Sequence, residues 1–275
     1  MKKTLKSMPV SFYVGAVILF VILLMTFFPG LFTDQDPYTQ DMNVLLQAPS
    51  AAHWFGTDDL GRDVYTRVIY ATRVDLATGI FAMLVPAVTG TLIGLCAGYY
   101  GKKVDAVLMR ILDVITAFPF IILVIAIVAI IGSGIRNMFI AIWCVGWKDY
   151  AKLVRSEVLA EKNMEYVAAA KTLGFSGARI MLRHILPNVI DGAFVYAISD
   201  VMMCMMVGAS LSFLGLGVSA PTPEWGAMLS SGRQYLLVAP HITSIIGLAI
   251  LLLVLGLNLF GDGLRDVLDP KLKDD

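Results

Sequence analysis

The side chains able to do chemistry in this sequence are few, and none is arranged as a reaction centre. Asp200, preceded by Ser199, stands near the middle of the apolar run 189–211. An unpaired carboxylate there costs on the order of 3 kcal/mol, so it must face a polar cavity or a partner group. Two readings follow: Ser199 and Asp200 line a path and meet the positive end of a solute, or Asp200 hydrogen-bonds a neighbouring helix. Met202, Met203, Met205 and Met206 follow it; their thioethers are potential soft metal ligands but better suited to filling gaps at a helix interface. Asp58, Asp59 and Asp63 cluster among glycines, a composition for tight hydrogen-bonded turns and, less readily, for a divalent-ion site. His53, His184 and His241 have no partner at ligand or triad spacing. Cys96, Cys144 and Cys204 sit inside apolar runs and read as small buried hydrophobes, without disulfide or metal-ligand spacing. No Gly-x4-Gly-Lys-Ser/Thr loop occurs, so nothing here cradles a nucleotide phosphate. Gly215-x-Gly217-x-x-Ala220 has dinucleotide-fingerprint spacing but follows a hydrophobic helix pattern, not a strand. The expectation is a chain that is not an enzyme and holds no metal or cofactor of its own.

What positions these groups is helix within a membrane. The chain is 58% apolar and 15% charged, too hydrophobic for an ordinary soluble domain. Its net charge is zero, so nothing argues for nucleic acid as a partner. Runs near the ~20 residues that cross the hydrocarbon core mark six spans, roughly 10–29, 77–99, 112–131, 137–150, 189–211 and 241–260. Pro119 breaks the third, and the fourth is short before Lys148 and Asp149, so it must thin the bilayer, snorkel its charges or lie within the bundle. Lys2, Lys3 and Lys6 precede the first run, but no small-residue cleavage site follows, and it reads as a retained helix. The fold class expected is an all-α, polytopic bundle of about six transmembrane helices. Gly90, Gly94 and Gly98 recur every four residues, a stripe that lets another backbone approach closely.

Placement of the basic residues sets the orientation. With the N-terminus inside, inner segments hold 16 of the 21 lysines and arginines, which puts both termini and segment 148–188 in the cytoplasm. The chain then divides into a cytoplasmic N-terminus (1–9), a first transmembrane helix (10–29), an external loop (30–76), a transmembrane core (77–260) with a cytoplasmic hairpin (163–187), and a cytoplasmic tail (261–275). The external loop carries seven aspartates against three arginines.

Within the hairpin, Asn163 is placed to cap one short helix and Gly174 to end it in the left-handed conformation, with a second helix over Phe175 to Leu186. Tyr166, Ala169, Ala170 and Leu173 fall at i, i+3, i+4 and i+7, giving one apolar face. Such a face suits either a groove on a partner or packing under its own bundle.

The run Ala169-Ala170-Lys171-Thr172-Leu173-Gly174, followed by Ile185-Leu186-Pro187, resembles the cytoplasmic EAA loop of binding-protein-dependent ABC importer permeases. Ala168 stands where that family usually has its first acidic residue, with Glu165 three residues earlier as the nearest carboxylate. His184 replaces the usual first isoleucine, and peptide-type members commonly read as Arg183 to Pro187 do here. Segments His53–Asp63, Leu211–Gly217, Pro221–Gly226 and Gly261–Asp266 resemble motifs of the dipeptide, oligopeptide and nickel permease subfamily, so the resemblance covers about 50 to 272. Length and the single N-terminal helix look like the shorter of the two permeases such systems use. The resemblance implies a type I importer permease fold and alternating-access uptake of di- or oligopeptides. Nickel or a metallophore complex is the alternative cargo within the family. A proton-coupled secondary transporter is the rival outside it, and would need a chain of buried carboxylates. It further implies a second homologous permease, two ATPase subunits that bind ATP and Mg, an extracytoplasmic solute-binding protein, and an inner-membrane location. ATPase coupling would fall to Glu165, Tyr166, Ala169, Ala170, Leu173, Gly174, Leu186 and Pro187.

Overall fold

The computed structural model describes residues 9–268. Lys2, Lys3, Lys6 and the end of the tail, 269–275, lie outside the described residues. Those described form ten α-helices and no strand: α1 (Val10–Phe27), α2 (Val64–Tyr100), α3 (Lys102–Thr116), α4 (Phe120–Ile131), α5 (Ile135–Glu161), α6 (Glu165–Thr172), α7 (Gly177–Ile180), α8 (Leu186–Phe213), α9 (Trp225–Gly232) and α10 (Pro240–Leu268). The all-α bundle is therefore what the apolar runs build. Each run must satisfy its own backbone where no water can, and helix does so within a single segment.

The count of spans differs from six. Among the described residues four helices are long and apolar enough to cross a membrane: Val10–Phe27, Val64–Tyr100, Gly177–Phe213 and Pro240–Leu264. A fifth is reached only if Lys102–Thr116 and Phe120–Ile131, bent by 85°, count together. Pro119 accounts for that bend, because proline disfavours helical backbone in the residue before it. The run expected at 137–150 is not a short segment but the first half of α5, a helix of 27 residues and roughly 40 Å. It continues through Lys148 and Asp149, which satisfy one another at 2.8 Å. Two further boundaries move: α2 begins at Val64, inside the segment expected to be loop, and α10 runs on through Gly261.

Contacts gather into two compact units. One draws on the chain up to Ile80, on Val128–Met138 and on the chain from Met202; the other on Phe81–Ile127 and Phe139–Val201. In the first, α1 packs along α10, with Phe12 stacked on Phe260 at 5.1 Å. Buried Ile22, Val68, Met205, Trp225, Ile246 and Leu253 form its core. In the second, Leu95, Tyr150, Val154, Val158, Val167, Ile180 and Ile185 form another core. The Gly90, Gly94 and Gly98 stripe finds its partner inside this unit. A β-carbon on Gly90 would lie 2.3 Å from the Trp147 carbonyl oxygen, and one on Gly94 2.5 Å from that of Ala151. The glycines let α2 and α5 touch backbone to backbone.

Candidate functional site

The segment between α5 and α8 forms the hairpin. Its first helix, α6, does not take its cap from Asn163. That side chain turns back to donate to the Leu159 carbonyl at 3.0 Å and so finishes α5, while Met164, in extended backbone, precedes α6 without a side-chain cap. Glu165 in the first turn and Lys171 in the last suit the helix dipole at both ends. The corner is as the glycine signals: Gly174 has φ +74°. The Gly174 amide donates to Lys171 and the Phe175 amide to Ala170, at 3.0 and 3.2 Å, the paired bonds of a Schellman stop. Ser176 then opens α7, its Oγ accepting from the Arg179 amide at 3.4 Å.

The second arm is not a separate helix ending at Leu186. It passes from α7 through a wide π turn, Met181–Ile185, straight into α8, so that Gly177–Phe213 runs as one helix of 37 residues. Pro187 gives the reason. It lacks the amide that would bond to Arg183, and its ring crowds that carbonyl; the turn immediately before it widens.

Inward and outward faces divide differently from the expected stripe. Val167 and Ala170 are buried against Ile180, Met181, Ile185, Val154 and Val158. Glu165, Ala168, Ala169 and Gly174 are exposed, Met164 is 49% exposed and Leu173 71%. Ala170 thus belongs to the chain's own core, and the face left outward is Met164, Glu165, Ala169 and Leu173. Tyr166 is half-buried at the base, where its hydroxyl donates to Glu161 at 2.7 Å and accepts from Asn188 at 3.0 Å. Partial burial, then the Glu161 hydrogen bond, push this phenol above its usual value. Tyr166 therefore ties α5 and α6 to the start of α8, beside Leu186 and Pro187. Phe175 stacks on His184 at 5.7 Å and receives the Arg179 guanidinium at 4.0 Å, which stiffens the corner.

The other expected positions lie elsewhere. Asp200 accepts a hydrogen bond from Tyr150 at 2.9 Å, and Tyr150, fully buried, meets Tyr196 edge-on at 4.8 Å. The contact joins α5 to α8, and Ser199 beside it is exposed. Met205 is buried in the first unit's core, whereas Met203 and Met206 are exposed by 53% and 42%.

The aspartate segment before α2 folds as a closed turn. Asp58 accepts from the amides of Leu60 and Arg62 at 2.9 and 3.0 Å and from Arg62 Nε at 2.7 Å. Asp63 caps α2 through the Thr66 amide at 2.7 Å and contacts His53 Nδ1 at 2.9 Å. His53, read as partnerless, thus has a carboxylate partner ten residues on. The acidic residues Asp75 and Glu224, singled out by no spacing, are each 2% exposed and brought together where the Trp225 amide donates to Asp75 at 3.2 Å. The only forewarning was an aspartate at the head of the apolar part of α2.

The family profile described as "Binding-protein-dependent transport system inner membrane component" matches residues 90–274. The dipeptide transport system permease protein DppC of Alkalihalophilus pseudofirmus is 45% identical over 260 residues, 94% of this chain and 86% of that protein. The glutathione transport system permease protein GsiD of Pectobacterium atrosepticum is 47% identical over 233 residues, 85% of this chain and 77% of that one. Among solved structures, an inward-facing form of the MetNI methionine ABC transporter superposes with a TM-score of 0.59 at 17% identity. The match covers 74% of this chain and 96% of that one, and at this identity it speaks for the fold.

Proposed function

Since this chain belongs to the inner-membrane components of binding-protein-dependent transport systems, and is thus a permease subunit of an ABC importer, we propose that it carries di- or oligopeptides by alternating access. It is a multi-pass inner-membrane protein and not an enzyme; ATP is hydrolysed by a separate subunit. Around it we place a second homologous permease, two ATPases and an extracytoplasmic solute-binding protein, with both termini and the hairpin in the cytoplasm. The peptide assignment rests on the dipeptide and glutathione permeases it resembles.

The observation that carries the coupling role is the exposed apolar face of α6, led by Leu173 at 71% exposure. An isobutyl group held this far out of its own core, on a corner braced by Gly174 and the Phe175 stack, suits a cleft on another protein. Motion received there passes along one continuous helix, through the π turn, into the membrane. ATP binding would close the ATPases, move the corner and open the cavity outward; no bond is made or broken in this chain. The test is the reconstituted complex with its binding protein and a dipeptide. Leu173→Asp should leave the permease in the membrane but abolish dipeptide-stimulated ATP hydrolysis and release the ATPases on purification. Full stimulation in that variant would remove the hairpin from the coupling path.

A further inference from the structure

Two carboxyl side chains, one on α2 and one just before α9, meet in the core of the first unit. Asp75 and Glu224 are each 2% exposed, and the amide of Trp225, next to Glu224 in the chain, donates to Asp75. Every other donor around them is neutral. The Trp225 amide donates to Asp75 at 3.2 Å, the Ala227 amide to Glu224 at 2.6 Å, and the Gly226 amide and the Ser212 hydroxyl complete the shell of Glu224. The arginines of α2 are committed elsewhere, Arg67 to the Pro37 carbonyl and Asp58, Arg73 to the Thr26 carbonyl. From α8 comes the Ser212 hydroxyl; Arg233, the cation that follows α9, lies over the Phe213 ring at 5.3 Å.

Two ionised carboxylates offer four acceptor atoms and no donor, so they can bond to each other only through a proton. We infer that Asp75 and Glu224 share one proton, and that this proton latches the segment Pro221–Gly226 and α9 onto α2 and α8. The latch sits where displacement would be felt. The Trp225 ring, 1% exposed, is clamped by its Nε1 donating to the Val68 carbonyl at 3.2 Å. A β-carbon at Gly226 would lie 2.0 Å from the Ala209 carbonyl oxygen on α8. Losing the proton would set two like charges side by side in a buried core, and their repulsion would act against the contacts that hold α9 to α2 and α8.

The direction with pH follows. Burial raises the Glu224 carboxyl above its ordinary value, so between that value and the raised one the latched state holds a proton that the released state has lost. Latched stability therefore falls as pH rises through the raised value, and is unaffected below the ordinary one.

The experiment uses the assembled transporter in proteoliposomes, with equal pH on both sides. Dipeptide uptake should fall on the alkaline side by up to about tenfold per pH unit. Glu224→Gln and Asp75→Asn, which keep a donor in place of the shared proton, should hold uptake flat over the same range. Infrared spectra of the same complex should show the carbonyl stretch of a buried protonated carboxyl at neutral pH, lost in either variant and lost in the wild type as pH rises. The uptake arm rests on the importer reading; the infrared arm does not, so a protein that fails to transport dipeptide can still report the proton. Absence of that carbonyl stretch from the wild type, its persistence in both variants, or an alkaline fall unchanged in both would overturn the latch.

Discussion

Ala170 and Leu173 sit one helical turn apart and do opposite work. Ala170, 3% exposed, is enclosed by Val154, Ile180 and Ile185; Leu173, 71% exposed, touches little of its own chain. An aspartate at 170 would therefore be buried within the subunit, with an effective penalty of several kcal/mol, rather than at the face of a partner. Ala170→Asp should lower the thermal unfolding midpoint of the purified permease in detergent by many degrees, whereas Leu173→Asp should leave that midpoint unchanged. Equal midpoints would mean that Ala170 faces outward after all. Residue spacing grouped Tyr166, Ala169, Ala170 and Leu173 on one apolar flank of α6, which the fold divides, Ala170 turning inward and Ala169 and Leu173 outward. It could not say which edge of that flank turns toward Val167 and the core, because that depends on α5 and α8, which pattern alone does not position. The same limit hid Tyr150 as the donor to Asp200 and Glu224 as the companion of Asp75. Those pairs lie 50 and 149 residues apart, and nothing local announces them.

At the scale of elements, what was legible is what backbone chemistry dictates locally. Gly174 ends α6 with positive φ, Pro119 bends the chain, and the glycine stripe of α2 seeks a backbone to touch. The misread boundaries share a cause: a side chain or a neighbouring helix supplied what the local pattern lacked. Asn163 serves the end of α5 instead of the start of α6, and α5 runs past its apolar run because Lys148 and Asp149 neutralise one another. The corner itself can be tested cleanly. A β-carbon at Gly174 would meet nothing within 4 Å, so Gly174→Val changes backbone preference and little else. Left-handed backbone costs an L-residue roughly 1–2 kcal/mol, enough to shift the corner toward another geometry without unfolding the core. The expected result is a permease that still inserts, with a midpoint lowered by only a few degrees, but with ATPase retention on co-purification sharply reduced. Wild-type retention would show that the fixed angle of the corner is dispensable.

For the whole molecule, orientation decides whether the hairpin can meet an ATPase. Sixteen of 21 basic residues fall on one side of the proposed arrangement, and the hairpin can reach an ATPase only if that side is the cytoplasm. In a background without Cys96, Cys144 and Cys204, a cysteine replacing Ser176 should react with impermeant thiol reagent only from the cytoplasmic side. One replacing Asp59 should react only from the opposite side. Ser176 is exposed and Asp59 partly so, so failure to label cannot be put down to burial. Reaction of Ser176→Cys from the outer face would invert the topology and remove the coupling role with it. The division into two compact units has a further consequence for inheritance. Their boundaries, after Ile80, Ile127, Met138 and Val201, fall inside α2, α4, α5 and α8 rather than in linkers. No single cut in a loop separates them, and a gene fusion or truncation that respects helix ends still carries pieces of both. The helices so divided, α2, α4, α5 and α8, belong in part to both units, so no cut at helix ends yields either unit whole and alone.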